Sequence, residues 1–336
     1  MDSNGLQKEL FKQIKSLLPT NISFADTIAD LLDISPDSAY RRIRGEKSIS
    51  FEEIQKLSKH FHISLDMMLK IDSNSTVFYG TWLEKINFKF EQYLNNLLFI
   101  AVTMNKATEK ITYYEAKDFP PFHYFDFPQL AAFKYFFWMK TILSYPEYNK
   151  THFEDANLDE ILQKTGSEIS RNYNKIPSVE IWSADTINST IRQIDYYREV
   201  GVFRKEESVD QLYDQLSAMI EHVRDQAECG EKLSLGQKPY GGPEYKLYYN
   251  EAYLGHNTIM TELDGLCTVY INHGVLNLMS THDEVFCKNT RWYFENVMKK
   301  AALISNVNDK ERNRFFNNMQ DKINQARELK EKGLMI

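Results

Sequence analysis

The chain has 336 residues, 43% of them hydrophobic and 13% aromatic, with a formal net charge of −7. That length implies two or three domains, and the composition supports a sizeable core. No apolar run reaches the ~20 residues of a membrane helix, no signal-peptide layout opens the chain, and Cys229, Cys267 and Cys287 show no paired spacing, so a soluble cytoplasmic protein without a membrane partner is expected.

Two short helices are predicted first. In "SFADTIADLLDIS", Ser23 is a helix cap and Ile28, Ala29, Leu31 and Leu32 form an apolar face. Asp33-Ile34 leaves room for a tight turn. In the following "SPDSAYRRIRG", Ser35 suits an N-cap, Pro36 the first helical position and Gly45 a stop, so a helix runs roughly from Pro36 to Arg44. Asp37, Tyr40, Arg41 and Arg44 fall at i, i+3, i+4 and i+7 and form one polar stripe. Ala39 and Ile43 face the other way, and Arg42 flanks the stripe. Two short helices joined this tightly make a helix-turn-helix.

Residues 6–70 resemble a lambda-repressor/Cro-like (XRE-type) DNA-binding domain, nearest its BetR-like branch. The resemblance rests on Ala29, Leu32 and Ile34 around the turn, Ala39 and Ile43 in the second helix, Gly45 after it, and "SFEEIQKLSKHFHISLDMML" as fourth and fifth helices. Two residues depart from the family pattern: Asp33 stands where the family prefers Gly, and Arg42 where many members carry an apolar or aromatic residue. The resemblance implies a five-helix domain whose second motif helix enters the major groove of double-stranded DNA. By position it implies Pro36, Asp37, Tyr40 and Arg41 as base readers, with Arg44 at a base or a phosphate. Ser35, Thr27 and Lys47 are the implied phosphate contacts. The alternative for the same residues is a solvated charged face on a structural helix.

Residues 1–70 carry ten basic and ten acidic side chains, so this region is neutral and the remainder holds the negative charge. A neutral module has little sequence-independent attraction to phosphates. Useful affinity then calls for two modules on one palindromic site, hence a homodimer.

Residues 71–80, including "DSNSTV", read as a linker, and 81–336 as an α+β dimerisation and sensor domain. Leu83, Ile86, Phe90, Tyr93, Leu97, Ile100 and Met104 repeat in alternating steps of three and four. They suit either a helix that pairs with its copy, through Leu83, Ile86, Phe90, Tyr93 and Leu97, or a helix buried in its own domain. A strand is expected over 110–117, then an aromatic, proline-containing loop and a helix from about Gln129. Residues 153–232 read as helical, with helices over Asn157–Asn174, Ser183–Val200 and Glu206–Cys229 and caps at Ser183 and Ser208. Residues 244–281 read as an antiparallel meander of three or four strands, with tight turns at Asp264-Gly265 and His273-Gly274 and with Ile111–Tyr114 joining the sheet. Helices over His282–Ile304 and Asp309–Lys332 close the chain, the last with an apolar stripe of Phe316, Met319, Ile323 and Ala326. Phe122, Trp138, Tyr248 and Tyr249 are the residues expected to edge a pocket for a small amphipathic or aromatic effector; ordinary core packing is the alternative.

Metal and catalytic signals are weak. His282, Asp283 and Cys287 lack a second ligand pair, and no nucleophile-elbow, zinc-protease or dinucleotide motif is present. No cofactor, metal or catalytic residue is expected. The fold expected is mostly α: a five-helix DNA-binding domain followed by a larger α+β domain with a small antiparallel sheet. The function expected is a sequence-specific, homodimeric transcriptional regulator with an effector-sensing C-terminal domain. The alternative is a helix-turn-helix adaptor whose C-terminal domain binds another protein.

Overall fold

The computed structural model describes the chain apart from residues 1–2, 19–22, 62, 64–74, 81–87, 157–159, 253–254 and 333–336, and apart from the side chains of 3–4, 16–17 and 329–332. Contacts divide it into two compact units, Met1–Val77 and Phe78–Ile336.

In the first unit, α1 (Ser3–Leu17), α2 (Phe24–Leu32), α3 (Pro36–Ile43) and α4 (Phe51–Phe61) surround one core. Leu10, Phe11, Ile14, Ile28, Ala29, Leu32, Ala39 and Leu57 are buried in it. The segment expected to form the fifth helix falls mainly outside the described residues. Asp33 ends α2 in the left-handed region at φ 57°, and the Ile34 amide donates to the Ala29 carbonyl at 3.0 Å. Asp adopts this conformation at a cost that Gly avoids. Gly45, at φ 76°, takes the corresponding place after α3.

The larger unit runs α5 (Phe90–Lys106), β1 (Lys110–Ala116), α6 (Pro128–Phe137), α7 (Glu160–Tyr173), β2 (Ser178–Trp182), α8 (Asn188–Glu199), α9 (Glu206–Cys229), β3 (Tyr245–Tyr249), β4 (Thr258–Leu263), β5 (Leu266–Asn272), β6 (Leu278–Thr281), α10 (Glu284–Lys300), β7 (Ala302–Leu303) and α11 (Asp309–Lys332). The sheet is larger than the small antiparallel one expected. Among the described residues it has seven strands in the order β6-β5-β4-β1-β2-β3-β7, and it is mixed, with β1, β2 and β3 mutually parallel. The pairing of the meander with β1 does occur, through β4.

Three local expectations are corrected. Residues 178–182, within the stretch read as helical in pattern, form β2 in the interior of the sheet, and Ser183 follows that strand instead of capping a helix. Every residue of β2 is buried, Ser178 and Glu180 included, so its polar and apolar residues do not mark a solvent face and a core face. Ser208 lies inside the first turn of α9, whose N-cap is Lys205. Tyr79, expected in the linker, exchanges backbone hydrogen bonds of 2.8 and 2.7 Å with Ser280 of β6.

Helices cover both faces of the sheet. On one, α5, α6, α7, α8, α9 and α11 share a core with Tyr114, Trp182, Tyr245 and Leu247. On the other, α10 supplies Cys287 and Phe294 against Ile181, Met260 and Val269. The stripe of α11 is buried as expected at Phe316, Met319, Ile323 and Ala326.

From Phe90 onward the heptad repeat packs in the chain's own core. Phe90 and Leu97 of α5 are buried, and the Phe90 ring meets those of Tyr93, Tyr135 and Trp138 at 5.9, 5.5 and 5.9 Å. Leu83 and Ile86 lie outside the described residues. Phe90, Tyr93 and Leu97 therefore pack inward and present no seam to a second copy.

Candidate functional site

The short helix α3 sorts its side chains onto two sides. Ser35 caps it, its hydroxyl accepting from the Ser38 amide at 3.2 Å, and Pro36 occupies the first turn. Asp37, Tyr40, Arg41 and Arg44 are all exposed along the expected stripe. The Arg44 guanidinium lies 5.1 Å from the centroid of the Tyr40 ring, and its Nε is 3.5 Å from Glu46 Oε1. Lys47 is exposed just beyond the helix. Thr27 is half-buried in α2, where its hydroxyl donates to the Ser23 carbonyl at 2.9 Å.

Arg42 is on the inner side. It is buried, and its guanidinium grips Glu53 of α4 with two bonds: Nη2 to Oε1 at 2.7 Å and Nε to Oε2 at 3.0 Å. Its Nη1 also donates to the Ser38 carbonyl at 3.2 Å. A planar guanidinium suits this forked contact. Gln7 of α1 ties the far end of α3, donating through Nε2 to the carbonyls of Arg42 at 2.7 Å and Lys47 at 2.8 Å. Its Oε1 accepts from the Ile49 amide at 3.1 Å. Of the three arginines in four residues, one thus braces the helix and two remain on the solvent face. That face offers a forked donor at Arg41 and a carboxylate acceptor at Asp37, the groups that read guanine and cytosine edges.

A second site lies in the larger unit. A cavity of about 110 Å³ sits between α5, the sheet and the loop after β1. Leu97, Ile100 and Met104 of α5, Tyr114 of β1, Ile259 of β4 and Tyr270 of β5 line it. Phe122 and Trp138 line it as well, whereas Tyr248 and Tyr249 do not. Successive strand residues point to opposite faces: Tyr248 packs on the α10 side, and Tyr249 lies 4.8 Å from Phe315 of α11, ring to ring. Lys134 of α6 also lines the cavity. Its ammonium donates to Thr190 Oγ1 at 2.9 Å and Gln193 Oε1 at 2.7 Å, and lies 4.5 Å from the centroid of the Tyr124 ring.

The wall formed by Tyr173, stacked on Phe122 at 4.1 Å, is held by a buried polar network centred on Glu180 of β2. Glu180 accepts from the Tyr173 hydroxyl at 2.7 Å, Lys232 Nζ at 3.1 Å and the Tyr245 hydroxyl at 3.2 Å. His123 Nε2 is 3.0 Å from Oε2. Burial opposes ionisation of Glu180, but Lys232 and His123 more than offset it and hold the carboxyl well below its usual range. Neither Glu180 nor Lys134 stood out in the sequence, because the partners that define each lie far away along the chain.

Residues 11–85 match the family model of the BetR domain, a helix-turn-helix DNA-binding domain. No curated protein and no solved structure matches the chain. The chain therefore carries a DNA-binding domain, and no described helix is long and apolar enough to cross a membrane.

Proposed function

We propose that this protein is a sequence-specific transcriptional regulator that reads DNA through the outer face of α3. In this reading two copies occupy a palindromic operator, and the larger unit senses a small effector. The observation that carries it is the division of α3. Arg42 braces the helix against Glu53, while Asp37, Tyr40, Arg41 and Arg44 stay exposed at the spacing the resemblance requires. The neutral charge of residues 1–70 supports two modules per site. Because Phe90, Tyr93 and Leu97 pack inward, this reading puts the pairing surface elsewhere.

The cavity supports sensing, since an apolar chamber with a few converging polar groups is what a small ligand needs. The adaptor reading draws on α10, where Val285 and Trp292 are 67% and 66% exposed. Selection of bound duplexes from a random pool tests the regulator reading. A two-fold symmetric motif is expected; recovery of no motif contradicts it.

A further inference from the structure

We propose that the cavity of the larger unit takes a small monocarboxylic acid with a single-ring or short hydrocarbon body, its carboxylate held by Lys134. This rests on the reading of the larger unit as an effector-binding domain.

Lys134 is 3% exposed, yet its partners are two neutral oxygens and the face of a ring. Among the described residues no carboxylate forms an ion pair with it. A buried cation is normally paired, because removing it from water is costly. Lys232, the other fully buried lysine among the described residues, obeys that rule through Glu180 at 3.1 Å. The contrast points to a counter-charge supplied from outside at Lys134. Burial pushes the Lys134 ammonium down to about 7, with Asp118 acting the other way; an arriving anion would restore its charge.

The cavity sets the rest of the ligand. Beyond Lys134 its walls are largely aliphatic and aromatic. Its volume of about 110 Å³ is somewhat below the ~150 Å³ of an engineered apolar cavity that admits benzene. The volume therefore bounds the hydrocarbon body at one ring or a short chain. Asp118 also lines the cavity; it opposes negative charge in general, so a ligand with one anionic group is favoured over dicarboxylates and phosphates. An adjoining cleft shares Asp118, Ser189 and Gln193 with the cavity and carries Lys117 and Arg192. Asp118 and Asp185 balance those two cations, so the cleft is a polar approach with no net charge of its own.

The test is calorimetric titration of the full chain with phenylacetate, 3-phenylpropionate and hexanoate, beside phenylacetamide and phenethylamine. The acids are expected to bind and the amide and amine to bind far more weakly. Lys134→Met, checked for folding by its melting curve, is expected to weaken acid binding by about tenfold to a hundredfold. Lys134→Arg, which keeps a cation, should retain more of it. Equal binding of acid and amide, unchanged affinity in Lys134→Met, or no binding of any acid overturns the proposal. Operator affinity measured with and without the acid separates the two readings. An acid that binds through Lys134 without altering operator affinity removes the sensing role and leaves the site standing.

Discussion

Arg42 Nη2 lies 2.7 Å from Glu53 Oε1, with the two side chains 8% and 16% exposed. This pair joins α3 to α4 from behind and separates Arg42 in role from Arg41 and Arg44. Breaking a buried ion pair by deleting one partner leaves the other uncompensated, at about 3–5 kcal/mol. Arg42→Ala should therefore destabilise the first unit by about 3 kcal/mol in denaturant unfolding, and Arg41→Ala by less than about 0.5 kcal/mol. Similar losses in the two variants would put Arg42 on the same exposed face as Arg41.

The Glu180–Lys232 pair invites a comparable test in the larger unit. Lys232→Met leaves the carboxylate buried without its ammonium and should cost about 3–5 kcal/mol. The sign with pH follows from the lowered Glu180 value. Such a carboxylate contributes stability that is present above the unfolded-state pKa of about 4.3 and is lost as pH falls through the folded one. Unfolding curves from pH 5 to pH 2 should fall more steeply for the wild type than for Lys232→Met.

Lys134 runs the other way. Its folded value is pushed down to about 7 from 10.5. Below the folded value both states carry the proton, and the cost of burying charge falls wholly on the folded chain. Between the two values the unfolded chain binds more protons, so stability rises with pH. Without ligand, the stability of Lys134→Met relative to wild type should be about 2–3 kcal/mol more favourable at pH 6 than at pH 9. An equal difference at the two pH values would mean that Lys134 keeps its proton throughout.

Phe90 and Leu97 are core residues of α5. Replacing both with polar residues should unfold the larger unit, since each large-to-small change in a core costs about 2–5 kcal/mol. A folded monomeric double variant, from a wild type that sediments as a dimer, would restore the heptad as a pairing seam.

What the sequence disclosed follows the range of the forces involved. The cap at Ser35, the stop at Gly45 and the stripe on α3 depend on residues within a turn or two, and the structure has each of them. Helical phase puts Arg42 beside the stripe and Arg41 on it, but the inward turn of Arg42 depends on Glu53, eleven residues away, which no local pattern discloses. Strand β2 is buried on both faces, and Glu180 at its middle breaks the apolar run that would mark such a strand. Its neighbours β1 and β3 lie far off in sequence, which is why the sheet proved larger than expected. Tyr248 and Tyr249 were expected at one cavity, yet adjacent strand residues cannot share a face. Lys134 sits among aromatic residues of α6 and takes its meaning from Gln193 and Thr190 of another helix.

The reading of α3 as the DNA-reading helix is tested most directly by titrating wild type and Arg41→Ala against the selected operator and its single-base variants. Arg41→Ala should lose about 1–3 kcal/mol on the intact operator and lose its preference at one base pair per half-site. Lys47→Ala should weaken every duplex alike and flatten the salt dependence. An Arg41→Ala protein with wild-type affinity and wild-type preference at every position would contradict the account.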